Sequence, residues 1–279
     1  MEKECLEKFC EAMNQKVAQM GLRSTEFRSP CGNGDSTAKD MAKCLIHGYR
    51  YEELSHIWGE RRHLVSIDGE DPREIVVVST IFEEEDNQVL MENYRVLGGK
   101  TGTLTNYGAF NLGFVAEIPE SDDKVACVIL YANEKNGFPN NRFKAARQAL
   151  DAAVKKYRDP ACDVSDTEVC AECACVCLLP KDGEKTRILF EKNAEVKKYP
   201  ASMTKITTAM VVLDNLEDLE ESIPVSQEVI EFLKPGFRGD DFKAGDVVKA
   251  KDLLSAMMLP SSNIASYVLG AYVGEKLLK

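Results

Sequence analysis

The stretch Lys198-Tyr199-Pro200-Ala201-Ser202-Met203-Thr204-Lys205 decides how this chain is read. Pro200 precedes a helical pattern from about Ser202 to Leu213, so Ser202 and Lys205 share one face about one turn apart. A helix start offers unpaired N–H groups and the positive end of the macrodipole. That setting favours an alkoxide-like Ser202 and disfavours a protonated Lys205. Burial and a second nearby cation would drive Lys205 further toward the neutral amine that a general base must be. Ser-x-x-Lys alone is a common helix-start string, so it needs partners.

Two partners are present. Lys100-Thr101-Gly102-Thr103 follows Gly98-Gly99 and leads toward a strand. Its glycines would let a substrate chain lie close to the strand edge. Lys100 supplies the second cation, and Thr101 and Thr103 supply hydroxyls suited to a carboxylate. Ser261-Ser262-Asn263 follows Pro260, with Ser261 placed to relay a proton and Asn263 to orient an amide. Taken singly, these are a glycine-rich turn and a Ser/Asn helix cap. Taken together, the three motifs are the parts of a serine acyl-transfer site of the Ser-x-x-Lys type.

Composition narrows the alternatives. With 279 residues, 44% hydrophobic and 29% charged, the chain has enough apolar material for a substantial core. A net charge of −11 argues against a phosphate-backbone partner, so no nucleic acid is expected. The opening Met1-Glu2-Lys3-Glu4 has no basic and apolar leader pattern, and no apolar run reaches the roughly 18–20 residues of a membrane span. No signal peptide and no transmembrane segment are therefore expected. Cys173, Cys175 and Cys177 alternate along a strand-like run, which puts them on one face as small buried residues rather than on separated loops as zinc ligands. His47, His56 and His63 form no ligand pattern. No metal and no cofactor are expected.

Apolar spacing predicts a helix over residues 2–20 ended by Gly21, and a second helix after Ser36-Thr37. Strands are expected at Ile75–Ile81, Phe110–Val115, Val125–Tyr131, Cys173–Leu179 and Arg187–Glu191, with a turn at Lys181-Asp182-Gly183-Glu184. Further helices are expected from Arg142 to Lys156 after Pro139-Asn140-Asn141, from Ala250 to Met258, and after Pro260. Residues 157–168 read as a polar linker and roughly 214–246 as a polar loop region. The class is α+β.

With these motifs the chain resembles the serine D-alanyl-D-alanine carboxypeptidases, the low-molecular-weight penicillin-binding proteins. Their fold is shared with class A β-lactamases. Lys243-Ala244-Gly245-Asp246 through Leu253-Leu254, Met258-Leu259-Pro260-Ser261 and Ser36-Thr37-Ala38-Lys39-Asp40-Met41-Ala42 also resemble family text. Ser-x-x-Lys normally leads in that family and Lys-Thr-Gly normally closes. The resemblance therefore implies a single circularly permuted transpeptidase-like domain over 1–279. Residues 169–279 would be the original first part, 158–168 the joining linker and 1–157 the original last part. A central antiparallel sheet flanked by helices is implied, with a helical lobe built from both chain ends.

The resemblance implies roles as well. Ser202 would be the acylated nucleophile, Lys205 its base, Ser261 the proton relay to the leaving D-alanine and Asn263 the holder of the substrate amide. Lys100, Thr101, Gly102 and Thr103 would line the substrate, with the N–H groups of Ser202 and Thr103 as the oxyanion hole. Arg142 is a further candidate for the terminal carboxylate, which a guanidinium fork fits. The implied substrate is a peptidoglycan peptide and the implied inhibitors are β-lactams, with the enzyme working outside the cytoplasmic membrane. Asn263 is followed by Ile264 where relatives often carry Asp. No Glu-x-x-Leu-Asn string lies between the second and third motifs in permuted order, which favours a carboxypeptidase over a β-lactamase. A β-lactamase or esterase on the same fold and a catalytically silent binding domain are the alternatives.

Overall fold

Alternating apolar residues build a five-stranded antiparallel sheet in the order Val96–Leu104, Ala109–Glu117, Lys124–Leu130, Cys173–Leu178 and Arg187–Lys192. The structure is a computed structural model and describes residues 2–83, 85–132, 141–181, 184–233 and 242–279. On one sheet face Leu112, Phe114, Cys127, Ile129, Ala174 and Val176 pack with the helix Arg142–Arg158. On the other, Ala126, Val128, Cys173, Cys175 and Cys177 meet the helix Ala38–Gly48. The three strand cysteines are thus buried on one face, as their alternation predicts, and all ten cysteines are free thiols. Strands far apart in the chain are neighbours here, since Val128 stands opposite Cys175.

The Lys-Thr-Gly motif lies inside the strand Val96–Leu104 rather than ahead of it. Gly98 and Gly99, which read as turn residues, pair with Val115 and Phe114 across a register shift. The expected strand at 75–81 runs instead from Arg73 to Val78, because Ser79 starts a turn in which its Oγ accepts from Ile81 N at 3.2 Å. The helix after Ser36 begins at Ala38, with Thr37 Oγ1 accepting from Asp40 N at 3.1 Å. The turn expected at 181–184 and the lead-in at 139–141 fall partly outside the described residues.

A second antiparallel sheet was not expected. Its order is Ser222–Pro224, Asp246–Lys249, Arg62–Gly69 and Arg73–Val78, so the supposed loop over 214–246 contains a strand and a short helix, Gln227–Glu231. These strands are short or turn much of their length to solvent, and too few apolar positions remain to show a period. Asp246 holds the sheet. Its carboxylate takes two bonds from the Arg73 guanidinium, at 2.8 and 2.7 Å, and one from Lys243 N at 2.9 Å.

The helical lobe contains Lys205–Asn215, Ala250–Met258 and both terminal helices, Glu2–Gln19 and Asn263–Leu278. The terminal helices run antiparallel: Cys5 packs on Gly274, and Leu6 and Phe9 pack on Gly270. The first and last helical turns therefore lie at the same end of the pair.

Burial acts to raise the Asp246 pKa, but Arg73 and the Lys243 N–H hold its carboxyl below the ordinary range. The pair therefore stabilises at neutral pH, and that contribution is lost as pH falls through the lowered value. Arg73→Ala, which leaves a buried carboxylate without its cation, is expected to lower the unfolding free energy by about 3 kcal/mol. Denaturant titration at neutral pH checks this, and the difference from wild type should shrink in acid.

Candidate active site

Ala201–Thr204 forms a 3₁₀ turn that runs directly into the helix Lys205–Asn215. Ser202 therefore sits on a tightened turn rather than in the first α-helical turn, with Ala201 at φ +53°. Lys205 is fully buried, and its Nζ lies 3.0 Å from Ser202 Oγ. The same Nζ is 2.7 Å from Asn263 Oδ1, 3.3 Å from Ser261 Oγ and 3.2 Å from the Cys31 carbonyl oxygen. Four oxygens from three separate chain segments thus surround one amine.

Ser261 is held in the left-handed region at φ +74°, a conformation that costs a non-glycine residue on the order of 1–3 kcal/mol. The surroundings enforce it. Leu259 N donates to Ser255 O, Ser262 N donates to Ala256 O, and Ser262 Oγ caps the helix Asn263–Leu278 by accepting from Ala265 N. Between these two bonded neighbours Ser261 turns its hydroxyl toward Lys205.

Gly102 brings the Lys-Thr-Gly strand onto the Ser202 turn. A Cβ there would stand 2.5 Å from Pro200 O and 3.3 Å from Met203 N, so no larger residue fits. Lys100 is fully buried and donates to Thr101 O at 3.1 Å. Thr103 lines the same cleft as Ser202 and Asn263, a space of about 540 Å³ whose walls include Tyr107, Tyr199, Phe232 and Tyr267. Arg142 is buried behind it, donating to Thr103 Oγ1 at 3.2 Å and Asn111 O at 3.4 Å.

The sequence model of the D-alanyl-D-alanine carboxypeptidase family matches residues 5–134 and 163–275, most of the chain. The chain belongs to that family. The D-alanyl-D-alanine carboxypeptidase DacC of Escherichia coli is 34% identical over 99 residues, covering 33% of this chain and 25% of that protein. The chain matches only a quarter of the length of this relative. No solved structure matches at a significant level. The family consists of cell-wall enzymes that act on peptidoglycan peptides and bind β-lactams. Among the described residues, no helix is long and apolar enough to cross a membrane.

Several residues of this cleft escaped the motifs. Ser29, Cys31, Gly32, Asn33 and Gly34 of the loop Ser29-Pro30-Cys31-Gly32-Asn33-Gly34 line it together with Thr103. Its Pro30 carbonyl accepts from Thr208 Oγ1 at 2.7 Å, and its Cys31 carbonyl accepts from Lys205. A run dense in Gly, Pro, Ser and Asn was its only signal in the sequence. Burial, aided by the adjacent Cys31 thiol, pushes the Tyr267 phenol above its ordinary pKa. Asn111, inside a strand, donates to Tyr199 O at 2.9 Å and accepts from Tyr131 N, tying the sheet to the approach to Ser202.

Gly32 gives a direct test of this loop. It sits at φ +146°, and a Cβ there would stand 2.8 Å from the Ala201 carbonyl carbon and 3.2 Å from Ser202 N. Gly32→Ala is expected to displace the Ser202 turn and slow covalent reaction at Ser202 by about 10²-fold, the usual scale for an ångström of misplacement. Stopped-flow measurement of acylation by a chromogenic β-lactam reads this out.

Proposed function

We propose that this chain is a serine D,D-carboxypeptidase that removes the terminal D-alanine from peptidoglycan stem peptides through an ester on Ser202. The observation that carries the reading is the set of bonds around Lys205. Asn263 Oδ1 and the Cys31 carbonyl can only accept, so each takes an N–H from Nζ. A neutral amine has two N–H groups and one lone pair. In that form, with its N–H groups turned to those two acceptors, the amine can turn its lone pair to the hydroxyls of Ser202 and Ser261, which lie at 3.0 and 3.3 Å.

The reaction then balances simply. Ser202 Oγ attacks the carbonyl carbon of the penultimate residue, and its proton passes to Lys205. The C–N bond breaks, and the departing D-alanine nitrogen receives that proton through Ser261 Oγ. Water then attacks the ester carbonyl and gives a proton to Lys205, the C–Oγ bond breaks to release the shortened peptide acid, and the Lys205 proton returns to Ser202 Oγ. Asn263 orients the substrate amide. The N–H groups of Ser202 and Thr103 receive the oxyanion, where one lost donor typically costs about 10²–10³ in kcat. Lys100 and Thr101 bind the terminal carboxylate, and Arg142 adds positive charge from behind Thr103. Family membership supports the peptide substrate and a site of action on the cell-wall side of the membrane.

The order of the motifs belongs to the same reading: residues 169–279 are the permuted first part of one domain, joined through 158–168 to residues 1–157. Two features support this. The strands Lys124–Leu130 and Cys173–Leu178 pair directly, and the helices Glu2–Gln19 and Asn263–Leu278 pack antiparallel, with Cys5 against Gly274.

Mass spectrometry of the penicillin-treated chain tests the assignment. One drug mass is expected on the peptide containing Ser202, absent in Ser202→Ala and formed at least about 10³-fold more slowly in Lys205→Ala. Rapid turnover of the drug would make the chain a β-lactamase. A chain that takes no adduct would be a silent binding domain.

A further inference from the structure

Thr80 lies outside all three motifs, yet it joins two of them. Its Oγ1 is 2.7 Å from Thr101 Oγ1 in the Lys-Thr-Gly strand and 3.3 Å from the carbonyl oxygen of Leu259, two residues before Ser261. Its backbone N donates to that same carbonyl at 3.1 Å. The residue is pinned from both sides. Ser79 N donates to Arg61 O, Ser79 Oγ accepts from Ile81 N and Phe82 N, and Ile81 is buried in the core beside the helix Arg142–Arg158.

Either hydroxyl can donate across the 2.7 Å pair, and the Thr80 hydroxyl also reaches Leu259 O as a donor. A threonine hydroxyl has one hydrogen to give and two lone pairs to receive with. The Leu259 carbonyl already holds the Thr80 N–H, and the Thr80 hydroxyl stands 0.6 Å nearer to Thr101 Oγ1 (2.7 against 3.3 Å). A 2.7 Å separation is the ordinary length of an O–H···O bond, whereas 3.3 Å is beyond its usual range. An anion in the cleft selects between the two arrangements: when Thr101 gives its hydrogen to the anion, Thr80 can give its own to Thr101 and leave Leu259 O to the Thr80 N–H. Were the bond reversed, the Thr101 proton would be spent on Thr80, and its hydroxyl would offer the anion only lone pairs.

We infer that Thr80 is a positioning residue: by donating to Thr101 it reserves the Thr101 hydrogen for the substrate carboxylate. By holding Leu259, it also fixes that donor relative to the Pro260–Ser261 turn. This rests on the carboxypeptidase reading, in which Thr101 meets the terminal carboxylate, and it adds a residue that touches no substrate.

The test compares acylation by a penicillin with acylation by the methyl ester of the same penicillin, in wild type, Thr80→Val and Thr80→Ser. Valine keeps the shape and removes the donor, and serine restores the donor. Thr80→Val is expected to slow acylation by the free acid by about tenfold or more, the scale of one charge-assisted bond. The methyl ester, which has no carboxylate, should react at nearly the wild-type rate, and Thr80→Ser should recover the free-acid rate. Equal slowing of acid and ester would make Thr80 a merely structural residue and overturn the inference, as would an unaffected Thr80→Val or a failure of serine to rescue. A wild-type chain that takes no adduct overturns this inference together with the carboxypeptidase reading. A labelled wild type beside an unaffected Thr80→Val overturns this inference alone.

Discussion

A lysine amine with no exposure to solvent is the constraint on which the site depends. Stripping an ammonium of water costs several kcal/mol even after relaxation, so Lys205 is tolerable only where oxygens replace the lost hydration or where it gives up its proton. The oxygens come from the Ser202 turn, from the Ser261–Asn263 turn and from the Cys31 loop. Each segment is thereby fixed against the other two. The left-handed backbone at Ala201 and Ser261 lies at the points where the chain must bend to reach that amine.

The sheet serves this convergence from the other side. Gly102 lets the Lys-Thr-Gly strand rest against Pro200 and Met203, and Asn111 in the next strand holds the Tyr199 carbonyl. The cleft is thus bounded by a rigid sheet edge and by a lobe whose outermost helices are the first and last of the chain. Those two helices interlock through close contacts at Gly270 and Gly274.

What could be read from the sequence followed the strength of local signals. The helices Arg142–Arg158 and Ala250–Met258 begin where their patterns predict, because their apolar stripes face a core and their flanks carry turn residues. Cys173, Cys175 and Cys177 declared their shared face through simple alternation. Gly98 and Gly99 misled, since glycine marks a turn in sequence, whereas here Gly98 lets the strand approach Trp58 and Gly99 lets it approach the neighbouring strand at Gly113. The four-stranded sheet was hidden for another reason. The ion pair that ties its strands, Arg73 with Asp246, joins residues 173 positions apart, and no window along the chain contains both. Cys31 and Thr80 escaped because they act through a carbonyl and through a second hydroxyl, roles that leave no motif.

The most direct measurement is D-alanine released from a peptide ending in D-alanyl-D-alanine, followed with the intact chain before and after one equivalent of penicillin. The account predicts one D-alanine per peptide, with release falling to background once Ser202 carries the drug. Release that continues at full rate with Ser202 acylated, or a folded chain that releases no D-alanine at all, would contradict it.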